Sequence, residues 1–360
     1  MRKALISKSA LCHNLNIIRS ASGGAKLMAY LKADAYGHSL ELIAPIVTPL
    51  VDGITVSELD AALYLRKLNF LGKIVLTSTP LTPTLCQTLV KNAIEPVIFE
   101  SNSLNVFLNE TSLGPQNIWL KVNTGMNRLG FEVNKVSAII PLLKQSKRVK
   151  DITLMSHLAN AELPDHPVTK KQLLVYNQLC SKFNLPRCLL NSAGIFSINQ
   201  RSDDWVRFGI TLYGIFPAAS SEKPDFKPVM QVQGQIIHTL DLQAGDSVGY
   251  GSQWQSTKTT RIAVVALGYA DGVPWRLVKP VHMMVKGRLY PIVGRISMDM
   301  LTLDLGDQDN GLTVGDWAVL WGHALPIERL AQQADTIPYE LLTRVGQRVE
   351  RQLVESLEVL

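Results

Sequence analysis

Lys32 stands at the end of a short apolar run, inside LKADAYGHS. An amine placed there is poorly solvated, which lowers its pKa and leaves a neutral nucleophile able to form a Schiff base with an aldehyde. A snorkelling or salt-bridged lysine is the other reading of such a position. Tyr36 follows four residues on, and Gly37 permits a tight turn, so both side chains can reach one site. Lys121 and Arg128 bracket a glycine-containing loop in KVNTGMNRLG. If that loop folds the two cations together they repel, so either one is neutralised or modified, or they point apart. His157 closes another apolar run, where it is either a catalyst or a satisfied structural residue. Ser192 in NSAG and the bare Gly209 beside Ile210, just after Arg207, could bring a hydroxyl and backbone N–H groups to an anion. Further on, GYADG places Tyr269, and GRISMDM places Met298 and Asp299, at the ends of apolar segments. No Ser–His–Asp spacing, HExxH or P-loop is present, which gives hydrolase and NTPase readings no foothold.

The elements that must position these residues fall into two textures. The first half alternates apolar runs with helical patterns; the runs are 26–32, 53–57, 73–78, 95–99, 118–124, 151–157, 188–194 and 205–210. SELDAALYLRKLN and KKQLLVYNQLCSKF carry apolar residues at three- and four-residue intervals, the period of one helix face. Eight such runs predict a parallel (β/α)₈ barrel of the TIM type, whose functional groups lie at the C-terminal ends of its strands. A doubly wound sheet is the alternative, weakened because no GxGxxG follows an early strand. The segment 217–228, rich in Pro and Ser, reads as a boundary. Beyond it VMQVQGQIIHTL, RIAVVALGYADG, HMMVKGRLYPIVG and DWAVLWG look like strands, and only ERLAQQAD and PYELLTR look helical. The prediction is therefore an α/β barrel over 1–226 followed by a mostly-β domain over 227–360.

Composition narrows the function class. At 46% hydrophobic and 18% charged the chain is an ordinary globular protein. Its formal charge of +6 is scattered, without a run of five like charges, so neither nucleic acid nor a membrane surface is the expected partner. Cys12, Cys86, Cys180 and Cys188 form no CxxC pair and no metal-ligand spacing; no metal is expected. The N-terminus lacks the continuous apolar stretch of a signal peptide, so a cytoplasmic, reduced setting is expected.

Taken together, LKADAYGHS, LKVNTGMNRLG, MSHLANAE, NSAG, RFGITLYG, VGYG, GYADG, IVGRISMDM and IPYE closely resemble the bacterial alanine racemase family, in its order and spacing. The resemblance implies a pyridoxal-phosphate enzyme that interconverts L- and D-alanine, built as a head-to-tail homodimer with shared sites. By that resemblance Lys32 holds the cofactor and acts on the D face of the substrate, while Tyr269 from the partner acts on the L face. Tyr36, Ser192, Tyr339 and the Gly209–Ile210 backbone would bind the phosphate, and Arg207 would face the pyridine nitrogen. His157 would sit between Arg207 and the catalytic tyrosine; Arg128 and the Met298 N–H would bind the substrate carboxylate. Lys121 matches a lysine often carbamylated, which would turn one of the two cations into an anion. Leu158, Glu162 and Asn123 depart from the usual Phe, Asp and Asp, which touches substrate preference more than the reaction. The remaining alternatives are a racemase with broader or serine-shifted specificity, a related decarboxylase, and a non-catalytic cofactor carrier that would lack the β domain. The D-alanine formed would serve wall synthesis, or the enzyme would serve alanine catabolism.

Overall fold

The computed structural model describes residues 1–199, 203–217, 223–307 and 311–357; part of the predicted boundary segment, residues 218–222, lies outside them. The chain opens with β1 (Arg2–Ser7). The Ser7 hydroxyl accepts from Ala10 N at 3.1 Å and so starts the helix Lys8–Ala21. That helix buries Leu11, Leu15 and Ile18, one face at three- and four-residue spacing, each worth roughly 1.5–3 kcal/mol of removed apolar surface.

The barrel strands are β2 (Lys26–Tyr30), β3 (Gly53–Val56), β4 (Lys73–Leu76), β5 (Ile94–Ile98), β6 (Gln116–Asn123), β8 (Val149–Met155), β9 (Arg187–Cys188) and β10 (Trp205–Phe208). A two-residue spur, β7 (Phe131–Glu132), pairs with β6. The barrel strands run parallel, and β10 returns to pair with β2. Between β9 and β10, Asp204 N donates to Arg187 O at 3.1 Å and Arg207 N to Leu190 O at 2.9 Å. These contacts close the ring and exclude a doubly wound sheet. Each of the eight predicted runs overlaps one of these strands. The seventh is cut to two residues because Asn191 Oδ1 accepts from Gly194 N at 3.0 Å and turns the chain into the helix Ser192–Ser197.

Seven of the barrel strands contribute one residue each to a separate inner cluster of buried Met28, Val75, Val97, Trp119, Met155, Cys188 and Trp205. Trp119 and Trp205 meet edge-on at 5.6 Å. This cluster fills the barrel interior, and the cavity that gathers the candidate residues lies at the C-terminal ends of the strands, where functional groups of such barrels are found.

The second sheet is built from β11 (Met230–Leu242), β14 (Thr260–Val265), β15 (His282–Val285), β16 (Arg288–Val293), β17 (Leu301–Gly306), β18 (Trp317–Trp321) and β19 (Glu350–Val354), with a small ribbon of β12 (Ser247–Val248) and β13 (Trp254–Gln255) beside it. Strand β14 pairs with β11 as well as β17, so six of the strands close on themselves. Lys286 and Gly287 take positive φ of 46° and 74°, the conformation of the tight turn that joins β15 to β16. Strand β1 lies in this sheet, between β11 and β19, rather than in the barrel where the division at 226 would put it. Both predicted helices are present, as Ile327–Gln333 and Pro338–Thr343. Among the described residues no helix is long and apolar enough to cross a membrane.

Candidate active site

Strand β2 ends at Tyr30, so Lys32 is not the strand-terminal residue that the apolar run implies. It opens a turn in which Ala33, Asp34, Ala35 and Tyr36 hold φ of 52°, 53°, 53° and 55°. Left-handed geometry costs an L-residue roughly 1–2 kcal/mol. Several contacts offset that strain. Asp34 Oδ1 accepts from Leu40 N at 2.7 Å, and Arg351 Nε donates to Gly37 O at 3.2 Å. His38 is fully buried, and burial pushes its pKa down to about 3 although the Tyr36 and Ala35 carbonyls oppose this. The neutral ring donates through Nδ1 to Tyr36 O at 2.9 Å and Ala35 O at 3.1 Å. Gly37, at φ 79°, backs onto the Leu342 carbonyl, where a side chain has no room. The handedness of the turn returns Tyr36 to the cavity that Lys32 enters.

Arg207 rises from β10 and is 3% exposed. Its Nη2 donates to Ser156 O at 2.7 Å and Leu189 O at 3.0 Å; its Nη1 donates to Tyr30 Oη at 3.2 Å. Both lie 3.4 Å from His157 Nδ1. Burial, then Arg207, Lys121, Arg128 and Lys32, push the His157 pKa down to about 2. An arginine can only donate, so Nδ1 is the acceptor and the neutral ring carries its proton on Nε2. Arg207 Nε is buried and has no hydrogen-bond partner among the described residues. At the adjacent strand ends Ser192 Oγ accepts from Gly209 N at 3.0 Å and Thr211 Oγ1 approaches it at 3.2 Å. A side chain at 209 would collide with Tyr36 Oη.

Lys32, Tyr36, Arg128, His157, Ser192, Arg207, Gly209, Ile210 and Tyr339 line one cavity of about 660 Å³. Lys32 is open to water through the cavity, yet enough protein crowds it that burial lowers its pKa, with Arg128 and Arg207 adding to the effect and Glu58 opposing it. Burial raises the Tyr339 phenol to about 12, and Glu162 adds to the rise. A chamber of about 80 Å³ adjoins, lined by Lys32, Lys121, Arg128 and Arg207 with no carboxylate among its lining residues. Lys121 and Arg128 therefore do not point apart. Burial, followed by Arg207 and Arg128, drives the Lys121 pKa well down, which favours the neutral amine and weakens the repulsion.

Tyr269 and Met298 do not line that cavity; they are 41% and 53% exposed. Tyr269 borders a separate cleft with Trp275 and Arg344. Its turn is tied to the SMDM segment by Tyr269 N to Ser297 O at 3.0 Å and Ala270 N to Met298 O at 3.1 Å. Beneath it Asp271, 1% exposed, accepts from Gly268 N at 2.8 Å, Arg2 at 2.8 Å and Arg348 at 2.7 Å.

Residues 6–217 match the alanine racemase N-terminal domain and residues 229–353 the alanine racemase C-terminal domain. The alanine racemase of Shewanella loihica is 39% identical over 350 residues, 96% of this chain and 97% of that protein. That of Aeromonas hydrophila is 37% identical, with 96% of this chain and 97% of the relative covered. The chain belongs to the alanine racemase family. Membership makes it an isomerase, and solved members share its whole fold. Biosynthetic alanine racemase from Pseudomonas aeruginosa superposes with a TM-score of 0.92 at 32% identity, covering 98% of this chain and 99% of the other. A member from Bartonella henselae, described with covalently bound pyridoxal phosphate, gives 0.89 at 28% identity, with 98% and 99% covered.

The residues of this family member fit such a group. An unpartnered buried donor at Arg207 Nε, a backbone at Gly209 bare enough for close approach, and an amine of lowered pKa at Lys32 all face the same cavity. Several contributors escaped the sequence reading. Tyr30 is the last residue of β2, at the C-terminal strand end where functional groups of such barrels lie, and that position could have found it. Asn123 Oδ1 accepts from Gly125 N and Asn127 N, both at 3.0 Å, and shapes the loop that carries Arg128. Asp271, His38 and Arg351 brace turns through contacts that no local spacing displays.

Proposed function

We propose that this chain racemises alanine with pyridoxal phosphate, using Lys32 on the D face and Tyr269 from a second copy of the chain on the L face. The observation that carries the reading is the cavity itself, which joins Lys32, an unpartnered Arg207 Nε and the Ser192–Gly209 corner in a chain matched to alanine racemases along its length. When bound, the cofactor supplies an electron sink that acidifies the substrate α-proton.

The rest falls to the protein. Lys32, neutral at lower pH than a free lysine, would hold the aldehyde through its amine with loss of water and, once freed, would take or return a proton at one face of Cα. The Tyr269 phenol does the same at the opposite face, so a proton removed on one side is replaced on the other. Tyr36, Ser192, Tyr339 and the Gly209–Ile210 backbone hold the phosphate. Arg207 Nε would donate to the ring nitrogen and, since a guanidinium cannot accept, would leave that nitrogen without a proton. Arg128 and the Met298 N–H orient the substrate carboxylate. His157, neutral and held by Arg207, offers its Nε2 proton toward the tyrosine side. Lys121 reacts as a neutral amine with carbon dioxide, forming an N–C bond and releasing a proton, and the resulting carbamate holds Arg128.

Exposure of Tyr269 and Met298 away from the cavity supports a head-to-tail homodimer in which each β module, beyond about residue 226, completes the other barrel's site. The setting is cytoplasmic, and the product serves wall synthesis or alanine catabolism. The test is loss of optical rotation of L-alanine, with L-serine in parallel, by purified wild-type and Lys32→Ala protein. Wild type is expected to be yellow and active on alanine, and Lys32→Ala to lose both the visible band and turnover. A wild-type protein that stays colourless after addition of pyridoxal phosphate would sink the reading.

A further inference from the structure

Tyr30 has no role in the scheme above, yet it borders both the cavity of about 660 Å³ and the chamber of about 80 Å³. Its ring centre lies 5.7 Å from Arg207 Cζ and 5.9 Å from Lys32 Nζ. Its hydroxyl accepts the Arg207 Nη1 hydrogen bond at 3.2 Å. The guanidinium is planar, so its direction is set by what holds its two amino groups. Nη2 is anchored on two carbonyls. Nη1 has Tyr30 Oη and the more distant His157 Nδ1 at 3.4 Å. Without the phenol, Nη1 keeps only the longer contact and the plane can tip about the Nη2 anchor.

The chemistry of the acceptor matters too. A carboxylate at this position would neutralise Arg207, whereas a phenol satisfies the donor and leaves the positive charge free to act on its surroundings. That charge is one of the influences lowering His157, Lys32 and Lys121.

We propose that Tyr30 is a positioning residue: through Arg207 its hydroxyl aims Nε at the ring of a bound cofactor, and its ring walls the cofactor cavity from the Lys121 chamber. The proposal rests on the pyridoxal-phosphate reading above. Protein stripped of cofactor and titrated with pyridoxal phosphate reports both affinity and the position of the visible band. Tyr30→Phe keeps the ring and removes the acceptor. It is expected to weaken binding roughly tenfold, the scale of one hydrogen bond to a charged group, and to displace the band maximum. In an Arg207→Lys background the same substitution should add no further loss, because the group it acts through has gone. Should Tyr30→Phe not fold, Tyr30→Leu carries the same test, since it also removes the acceptor. Affinity within about twofold of wild type with an unmoved band overturns the proposal, as does an equal loss in the Arg207→Lys background. Wild-type protein that takes up no cofactor overturns the underlying reading as well; normal uptake by wild type with a silent Tyr30→Phe overturns this inference alone.

Discussion

The barrel mouth and the turn that carries Tyr269 are built on opposite principles. In the mouth, cations are crowded together; Arg207 makes its contacts at 3% exposure, and of its three nitrogens Nε alone is left without a partner among the described residues. On the β module the reactive side chain stands in the open at 41% exposure, and the order lies beneath it, in the buried Asp271 clamp. The mouth is tuned electrostatically but offers Cα only the Lys32 side. The turn supplies a phenol at a defined place, but the cleft it borders has no lysine among its lining residues. Each region contains what the other lacks, and within one chain they do not share a cavity. An exposed side chain on a rigid base is the form expected of a group that works in another molecule's site.

Mixing experiments break this comparison most directly. Lys32→Ala and Tyr269→Phe are each expected to lose racemisation by roughly 10²–10⁴-fold, the usual weight of one proton-transfer group. If the two regions meet across an interface, mixing the two variants restores activity, because a heterodimer regains one intact site. If both residues act within one chain, every subunit stays defective and mixing restores nothing. Exchange of subunits has to be shown independently, for example by mass spectrometry of differently tagged chains.

Asp271→Ala sharpens it next. Removing a buried carboxylate takes its acceptor from Arg2, leaves Arg348 held only by Asp299 and the Met298 carbonyl, and leaves the Gly268 N–H unsatisfied. The cost expected is about 3 kcal/mol, as for other broken buried pairs. Racemisation should fall with it while pyridoxal phosphate still binds, since the mouth is untouched. Equal loss of cofactor affinity would show that the two regions are not separable in this way. Thermal unfolding and cofactor titration on one sample decide the matter.

The contrast also explains what could be read from the sequence. Barrel strands are continuous apolar runs flanked by helical periodicity, so all eight were visible, as were side chains such as Lys32, His157 and Arg207 that terminate or follow them. Family motifs then supplied roles that spacing alone left open. Strand β1 was not placed in the second sheet, because its partners β11 and β19 lie more than two hundred residues away. The left-handed backbone after Lys32 was hidden for a different reason. Ala33, Asp34 and Ala35 carry no signal for positive φ, and only tertiary braces such as His38 and Arg351 hold them there. Tyr30 and Asp271 were missed because their importance is a hydrogen bond to a distant arginine rather than a local pattern.

The smallest effect expected concerns acid stability, and it belongs to the mouth. His38 titrates near 6.5 in a free chain and is held down to about 3 by burial in the fold. Between those values the unfolded chain binds a proton that the folded chain refuses. Stability from this group is therefore complete above about pH 6.5 and is lost as pH falls toward 3, with a slope of at most about 1.4 kcal/mol per pH unit. His157, pushed down to about 2, adds a slope of the same sign over the same window. His38→Asn isolates one of the two. The amide can still donate toward the Tyr36 and Ala35 carbonyls but does not titrate, while the stacking of the ring on Tyr213, centres 4.2 Å apart, is lost. At pH 8 the variant should be less stable by about 1 kcal/mol for that lost stacking. Between pH 6.5 and 4.5 its denaturation midpoint should fall less steeply than that of wild type, so the two curves converge on acidification and then cross. Curves that stay parallel would mean that His38 protonates in the folded protein. In that case the left-handed turn carrying Lys32 is not held by a neutral imidazole, and the mouth is less tightly closed to protons than its burial implies.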